Sequence, residues 1–327
     1  MTVLALDLGG TQLRTALVQA DGSLIGRRHA RTPSAATDVV EACLAQLNAT
    51  LDSGRAAGLP QPSALTISAP GPLDPRRGEF LDPPNLDPGL WRFPLAATLG
   101  QRLGLPALME RDTQVAALAE GDFGAARGLT DYVYLTISTG IGGGIVSGGR
   151  LLRGPDGLAG ELGHLSIDAD GPTCGCGAPG HFEAIASGTG IANAARAAGL
   201  GDLAAAAVAA AEERGDERAA RIMETARRAF AIAAVSIVDV FNPQRIIVGG
   251  GVAAGQGERL LGPARAAVAR YAFKRQAERV DIVPAVLGDD VGLVGGLSLV
   301  SVAPLGDDGY LNSDVTGPGH PALTAEH

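Results

Sequence analysis

Blocks of apolar and polar positions in the first thirty residues predict three strands. Val3 to Leu8 is apolar on both faces, Gln12 to Val18 alternates, and Leu24 to Arg31 follows an Asp21-Gly22 turn. From Asp38 to Leu51 the period changes. Val40, Cys43, Leu44 and Leu47 recur at helical spacing and predict a helix. Leu65 to Ser68 reads as a short strand running into Ala69-Pro70-Gly71-Pro72, a loop by composition. Proline and glycine stay dense through Gly89, so that stretch reads as an ordered loop.

The first pattern returns from Asp131. Tyr132 to Ser138 predicts a strand, Thr139-Gly140-Ile141-Gly142-Gly143-Gly144 a glycine turn, and Ile145-Val146 a second strand leading to a turn at Gly148-Gly149. Strand, glycine turn, strand, turn, strand thus occurs twice, an architectural repeat more than a sequence repeat. Further on, a long helix fits Glu217 to Phe241 and is closed by Asn242-Pro243. Arg245 to Val248 reads as a buried strand opening into Gly249-Gly250-Gly251, and a last helix fits Val291 to Val302. The polar tail from Pro304 to His327 reads as disordered.

The two glycine segments carry the first chemical suggestion. In Leu6-Asp7-Leu8-Gly9-Gly10-Thr11 a carboxylate at a strand end can hold Mg²⁺ while the turn's amides meet phosphate oxygens. A tight hairpin capped by aspartate explains the same residues. The second segment at Gly140 favours a nucleotide clamped between two related halves. A third cluster, Gly249 to Gly251, fits a strand-to-helix turn or a contact to the nucleotide.

Composition narrows the classes. The 327 residues carry 26 basic and 35 acidic side chains, a formal charge of −9, which argues against a nucleic-acid surface. No basic, apolar leader precedes the Asp7 turn, and Ala229 to Val240 is too short and interrupted to span a bilayer. The expectation is a soluble, cytoplasmic protein without a membrane partner. Of three cysteines, Cys174 and Cys176 are one residue apart, which in a reducing compartment suggests a metal before a disulfide.

The Asp7-Leu8-Gly9-Gly10-Thr11, Glu161-Leu162-Gly163-His164 and Cys174-Gly175-Cys176-Gly177 segments, in that order, resemble the ROK family of bacterial sugar kinases and sugar-responsive repressors. The resemblance runs from about Val3 to about Val300. It implies an α/β protein of the actin-like ATPase fold, a duplicated ribonuclease H-like unit, with two domains flanking an active-site cleft. Residues 1–115, completed by the helix near 291–302, would form the smaller domain, and 116–290 the larger one with a zinc-binding segment. The implied activity is ATP-dependent phosphorylation of a hexose at its 6-hydroxyl, most like the family's glucokinases, which make glucose 6-phosphate. A homodimer or tetramer is also implied.

Carried over residue by residue, the resemblance makes Asp112 the catalytic base. On its own, an aspartate at a helix start reads equally as an N-cap. Asp7, Gly9, Gly10, Thr11, Thr139, Gly140, Gly249 and Gly250 would hold ATP with its Mg²⁺. Gly71, Asn85, Glu161, His164 and Glu183, with Asp112, would hold the sugar. His164, Cys174, Cys176 and His181 would bind a structural zinc, His181 standing where family members generally place a third cysteine; Zn²⁺ accepts either set. Two further departures are Arg111, where the family's kinases usually carry an asparagine facing sugar hydroxyls, and Gln12, where many carry lysine. Arginine only donates hydrogen bonds, so Arg111 bears on substrate choice. Rival readings are a kinase for fructose, mannose or an N-acetylated hexosamine, a sugar-sensing repressor, which the net charge of −9 disfavours, and a sugar-binding protein that has lost catalysis.

Overall fold

Two strand blocks with the same internal pattern build two sheets of the same strand order. The computed structural model describes residues 1–83 and 86–302, so Asn85 and the tail from Pro304 lie outside the described residues. The chain divides into two units, residues 1–111 with those from Gly296 onward, and residues 112–295.

In the first unit, β1 (Thr2–Leu8), β2 (Gln12–Gln19) and β3 (Leu24–Arg31) form an antiparallel meander. Helix α1 (Ala36–Ala56) extends the predicted helix at both ends. Strand β4 (Leu65–Ala69) then pairs parallel to β1. The proline-rich stretch holds a two-residue-per-strand hairpin, β5 (Leu73–Asp74) and β6 (Glu79–Phe80), where only a loop was expected. Helix α2 (Leu95–Leu103) returns the chain to β7 (Ala107–Arg111), giving the order β3-β2-β1-β4-β7. Leu4, Leu6, Leu17, Leu47, Ile67 and Met109 are fully buried in its core.

In the second unit, α3 (Asp112–Asp122) precedes β8 (Tyr132–Ile137), β9 (Ile141–Ser147) and β10 (Arg150–Leu151). Five helices follow, α4 (Phe182–Ala186), α5 (Gly188–Ala197), α6 (Ala205–Glu213), α7 (Glu217–Phe241) and, after β11 (Arg245–Gly249), α8 (Gly251–Gln256). Then come α9 (Glu258–Tyr271), α10 (Lys274–Ala277), β12 (Asp281–Pro284) and the start of α11 (Val291–Val302), whose residues from Gly296 onward belong to the first unit. The sheet order is β10-β9-β8-β11-β12, matching the first sheet position for position. Phe182 and Phe230 stack at 6.2 Å between centroids in the helical core. No helix among the described residues is long and apolar enough to cross a membrane.

One expectation is corrected. Gly142 to Gly144 are not a turn but the first half of strand β9. They are glycine because neighbours crowd both faces. A Cβ on Gly142 would stand 2.8 Å from Thr113 Cγ2, and one on Gly144 2.6 Å from the Thr113 carbonyl and 2.7 Å from Ala117 Cβ. On the opposite face, a Cβ on Gly143 would meet Leu162 Cδ1 at 2.6 Å. The strand is a floor on which the first turns of α3 lie closely.

Candidate active site

Parallel strands gather functional groups at their C-terminal ends, where loops leave the sheet. In the first unit those ends are the Asp7 turn after β1, Ser68 to Gly71 after β4, and Glu110-Arg111 at the end of β7. Sheet register sets Arg14, Asp7, Ser68 and Glu110 side by side across four strands. The Arg14 and Asp7 side chains pair at 3.5 Å. Ser68 Oγ is buried and has no hydrogen-bond partner among the described residues. Buried Glu110 accepts the Arg111 amide at 3.0 Å.

The Asp7 turn is closed by the Gly9 N–H donating to the Gln12 carbonyl at 2.8 Å. Thr32, just past β3, braces it: its hydroxyl donates to the Gly9 carbonyl at 2.7 Å and its N–H to the Thr11 carbonyl at 2.9 Å. Nothing in the local sequence marks Thr32, because its role depends on β3 ending beside the turn. Gly71 lies against Arg111, and a Cβ there would approach Arg111 Cδ to 2.8 Å. Arg111 is itself only 3% exposed.

Asp112 is the first residue of α3 and is exposed, with Oδ1 accepting the Thr113 amide at 2.7 Å. Two residues on, fully buried Gln114 donates from Nε2 to the Ala159 carbonyl at 3.2 Å. The base candidate is thus seated over the glycine floor and tied to the segment that leads into Glu161.

In the second unit, β8 and β11 end side by side, Gly249 pairing with Thr136. This brings the Ser138-Thr139-Gly140 turn next to Gly249-Gly250. Gly250 has φ of +92°, and a Cβ there would meet Thr136 Oγ1 at 2.7 Å, so the turn requires glycine. The start of α5 lies on the same turn. Gly188 N–H donates to Ser138 O at 2.7 Å, Thr189 N–H to Thr139 O at 3.1 Å, and buried Ser187 caps the helix by accepting Gly190 N–H at 3.0 Å. The first amides of α5 thus brace the turn and its cap, while the helix dipole favours negative charge nearby. Ser187 to Thr189 were not singled out in the sequence, although Ser-Gly before a helical segment is a cap signal.

Glu183 Oε2 accepts the Ile141 amide at 2.7 Å, so the carboxylate grips the Gly140 turn. Of the sugar-side candidates, Glu161 and His164 are neighbours, His164 Nε2 lying 4.0 Å from Glu161 Oε2. His164 turns its other nitrogen inward. Nδ1 is 3.1 Å from His181 Nδ1, which is 3.3 Å from Cys176 Sγ. With Cys174, these ligand atoms all lie within 4.8 Å of one another. Ligands on a tetrahedral ion at about 2.0–2.3 Å stand roughly 3.3–3.8 Å apart, so two histidines and two cysteines here fit one small cation. Burial raises the Cys174 thiol above its ordinary range, so a cation is what would keep it ionised. A tight reversal holds the two thiols, with Cys174 N–H donating to Ala178 O at 2.8 Å and Gly177 N–H to Cys174 O at 2.9 Å.

Comparison with known proteins gives consistent relatives. A sequence profile described as the ROK family matches residues 3–303. The N-acetylmannosamine kinase of Escherichia fergusonii is 40% identical over 303 residues, covering 91% of this chain and 98% of its own. Among solved structures, the ROK hexokinase of Thermus thermophilus is 37% identical with a TM-score of 0.79, covering 90% of this chain and 96% of its own. A ROK family glucokinase from Streptomyces griseus, solved with glucose and AMPPNP, is 32% identical with a TM-score of 0.75, covering 91% and 99%.

Proposed function

The chain belongs to the ROK family and is an ATP-dependent sugar kinase of the actin-like ATPase fold, and from that premise we propose that it phosphorylates the 6-hydroxyl of N-acetylmannosamine with Asp112 as the general base. The observation that carries the catalytic part is the exposed Asp112 carboxylate, fixed at the start of a helix that lies on Gly142 and Gly144. Asp112 accepts the 6-hydroxyl proton as that oxygen bonds to the γ-phosphorus. The bond from the γ-phosphorus to its bridging oxygen breaks, and ADP leaves. Such transfer needs mainly positioning and charge neutralisation, so a carboxylate held in line is a sufficient base.

The Asp7 turn and the Ser138–Gly140 turn would take the donor phosphates, with Gly249-Gly250 on the adenosine side. Asp7 would hold the Mg²⁺ that accompanies ATP, which supplies neutralising charge at the phosphates. Glu161 and His164, with Gly71 and Asn85, would hold the sugar, while Glu183 acts through the Gly140 turn that it grips. The His164, Cys174, Cys176 and His181 set suits Zn²⁺ in a structural role. Ligation through Nδ1 leaves His164 Nε2 directed at Glu161, so the bound ion would fix the orientation of a sugar contact.

N-acetylmannosamine stands first because kinases for it are the 40% identical relatives. Glucose is the second reading, favoured by the 37% hexokinase and the 32% glucokinase. The two sugars differ at carbon 2, in both substituent and configuration. An ADP-coupled assay over N-acetylmannosamine, glucose, mannose, fructose and N-acetylglucosamine decides between them. The highest kcat/KM is expected with N-acetylmannosamine; a preference for glucose replaces this reading by the second, and no turnover with any of them defeats both. Metal analysis should find one zinc per chain, lost on His181→Ala. Metal-free protein as purified without chelator would remove the zinc assignment.

A further inference from the structure

Position 12 sits at the mouth of the Asp7 turn and holds glutamine, so the donor's terminal phosphates meet no positive charge there. Phosphoryl transfer relies on neutralising those oxygens, and amides alone bring only partial charges. Strand β2 alternates its side chains, so the residue two places on from Gln12 shares its face. That residue is Arg14, whose Nη2 lies 3.4 Å from Gln12 Oε1. Across the β1–β2 ladder it stands directly opposite Asp7, with Nη1 3.5 Å from Asp7 Oδ2.

We infer that Arg14 supplies the cation for the terminal phosphates of the donor, in place of a charge at position 12. The inference rests on the reading that the Asp7 turn holds those phosphates.

The geometry suits the task in three ways. First, the backbone that carries the side chain is held: Leu13 and Thr15 on either side are fully buried. Second, the contact with Asp7 is long and partly reachable by solvent. At 3.5 Å it is longer than the roughly 2.7–2.9 Å of a charge-assisted hydrogen bond, and the two side chains are 27% and 20% exposed. Third, a guanidinium is a planar fork of five N–H donors, which can lie along a carboxylate and present another edge to a phosphate. Asp7 and Arg14 cancel each other before the donor arrives. With Asp7 holding the cation that accompanies ATP, the charge of Arg14 would be left for the phosphates.

Calorimetric titration of the full chain with ATP and, separately, with adenosine tests this, using wild type, Arg14→Ala and the double variant Gln12→Lys/Arg14→Ala. A lost charge-assisted contact predicts ATP binding weaker by about 10- to 100-fold in Arg14→Ala, with adenosine changed by less than about twofold. A lysine at position 12 returns a charge to the same face, so the double variant should regain about tenfold in ATP affinity over Arg14→Ala. Undiminished ATP binding by Arg14→Ala overturns the inference. Equal losses for ATP and adenosine also overturn it, because Arg14 then only braces the turn, and so does a double variant no better than Arg14→Ala. Wild-type protein with no affinity for ATP defeats the phosphate reading of the turn itself; wild type that binds ATP while Arg14→Ala binds equally defeats this inference alone.

Discussion

The two sheets share one strand order, yet the same positions in them do opposite work. Asp7 faces Arg14 one pair before the end of the β1–β2 ladder. The corresponding pair in β8–β9 is Thr136 and Gly142. The strand beyond carries Ser68 in the first sheet and Gly249 in the second. The first sheet thus keeps charged and polar side chains at this edge. The second gives its side chains up, leaving backbone amides, a helix N-terminus and room for α3. Two edges equivalent in strand order therefore differ in kind: one carries charged and polar side chains, the other mainly glycine.

The largest test of this difference is Asp112, the group that the glycine floor positions. Replacing it with asparagine keeps size and polarity but removes the proton acceptor. A kcat lower by about 10²–10⁴-fold with nearly unchanged KM values is expected from steady-state kinetics. Near-normal turnover would show that seating α3 on the glycines has no catalytic purpose.

The next test fills the space. Gly144→Val puts branched carbon where the Thr113 carbonyl and Ala117 Cβ already crowd, so α3 must shift. Overpacking of this kind costs about 1–3 kcal/mol, read in a denaturant midpoint. The kcat should fall by less than in Asp112→Asn and by more than the affinity for either substrate. The matching position in the first sheet is Ala16, which already carries a Cβ, so a glycine there is not required. A harmless Gly144→Val would erase the contrast between the sheets.

Much of this was legible in the sequence, for identifiable reasons. Strand β1 is a continuous apolar run and β2 an alternating one, and α7 carries both a cap at Asp216 and a stop at Asn242, whose φ is +48°. The His164, Cys174, Cys176 and His181 cluster was legible because His and Cys at short spacing have few other reasons to gather. Helix α6 was not, because Ala205 to Ala211 is almost all alanine and shows no apolar stripe. Gly142 to Gly144 were misread because glycine signals a turn and a close neighbour alike; the neighbours Thr113 and Leu162 come from distant sequence. Thr32 and Glu183 act on turns far along the chain, contacts that no local pattern encodes.

Both turns proposed to take the donor phosphates lean on a buried hydroxyl, which gives a smaller and symmetrical test. Thr32 donates to Gly9 in the first, and Ser187 caps the helix that rests on Ser138 in the second. Thr32→Val should cost about 0.5–1.5 kcal/mol of stability. Ser187→Ala should cost about 0.5–2 kcal/mol through loss of the cap. Each should weaken ATP binding more than sugar binding. If only one does, the two turns do not share the donor equally.

The smallest effect lies at the far hairpins, where each sheet uses one aspartate differently. Asp21 holds its own turn by accepting the Ser23 amide at 3.0 Å. Asp131 reaches from the start of β8 to the β9–β10 turn, accepting Gly148 N–H at 2.8 Å and Ser147 Oγ at 3.0 Å. Both carboxyls are held below the ordinary range, Asp21 first by Ser23 and Asp131 first by the Gly148 amide. A depressed carboxyl adds stability in full above its unfolded pKa, about 3.8, and loses it as pH falls through the lower folded value. Asp131→Asn should therefore lower Tm at pH 7 more than Asp21→Asn, because it joins two segments where Asp21 closes one. Both differences from wild type should shrink as melting is repeated toward pH 3. A Tm gap for Asp131→Asn that is unchanged at low pH would mean that packing, not the ionised carboxylate, holds the second hairpin.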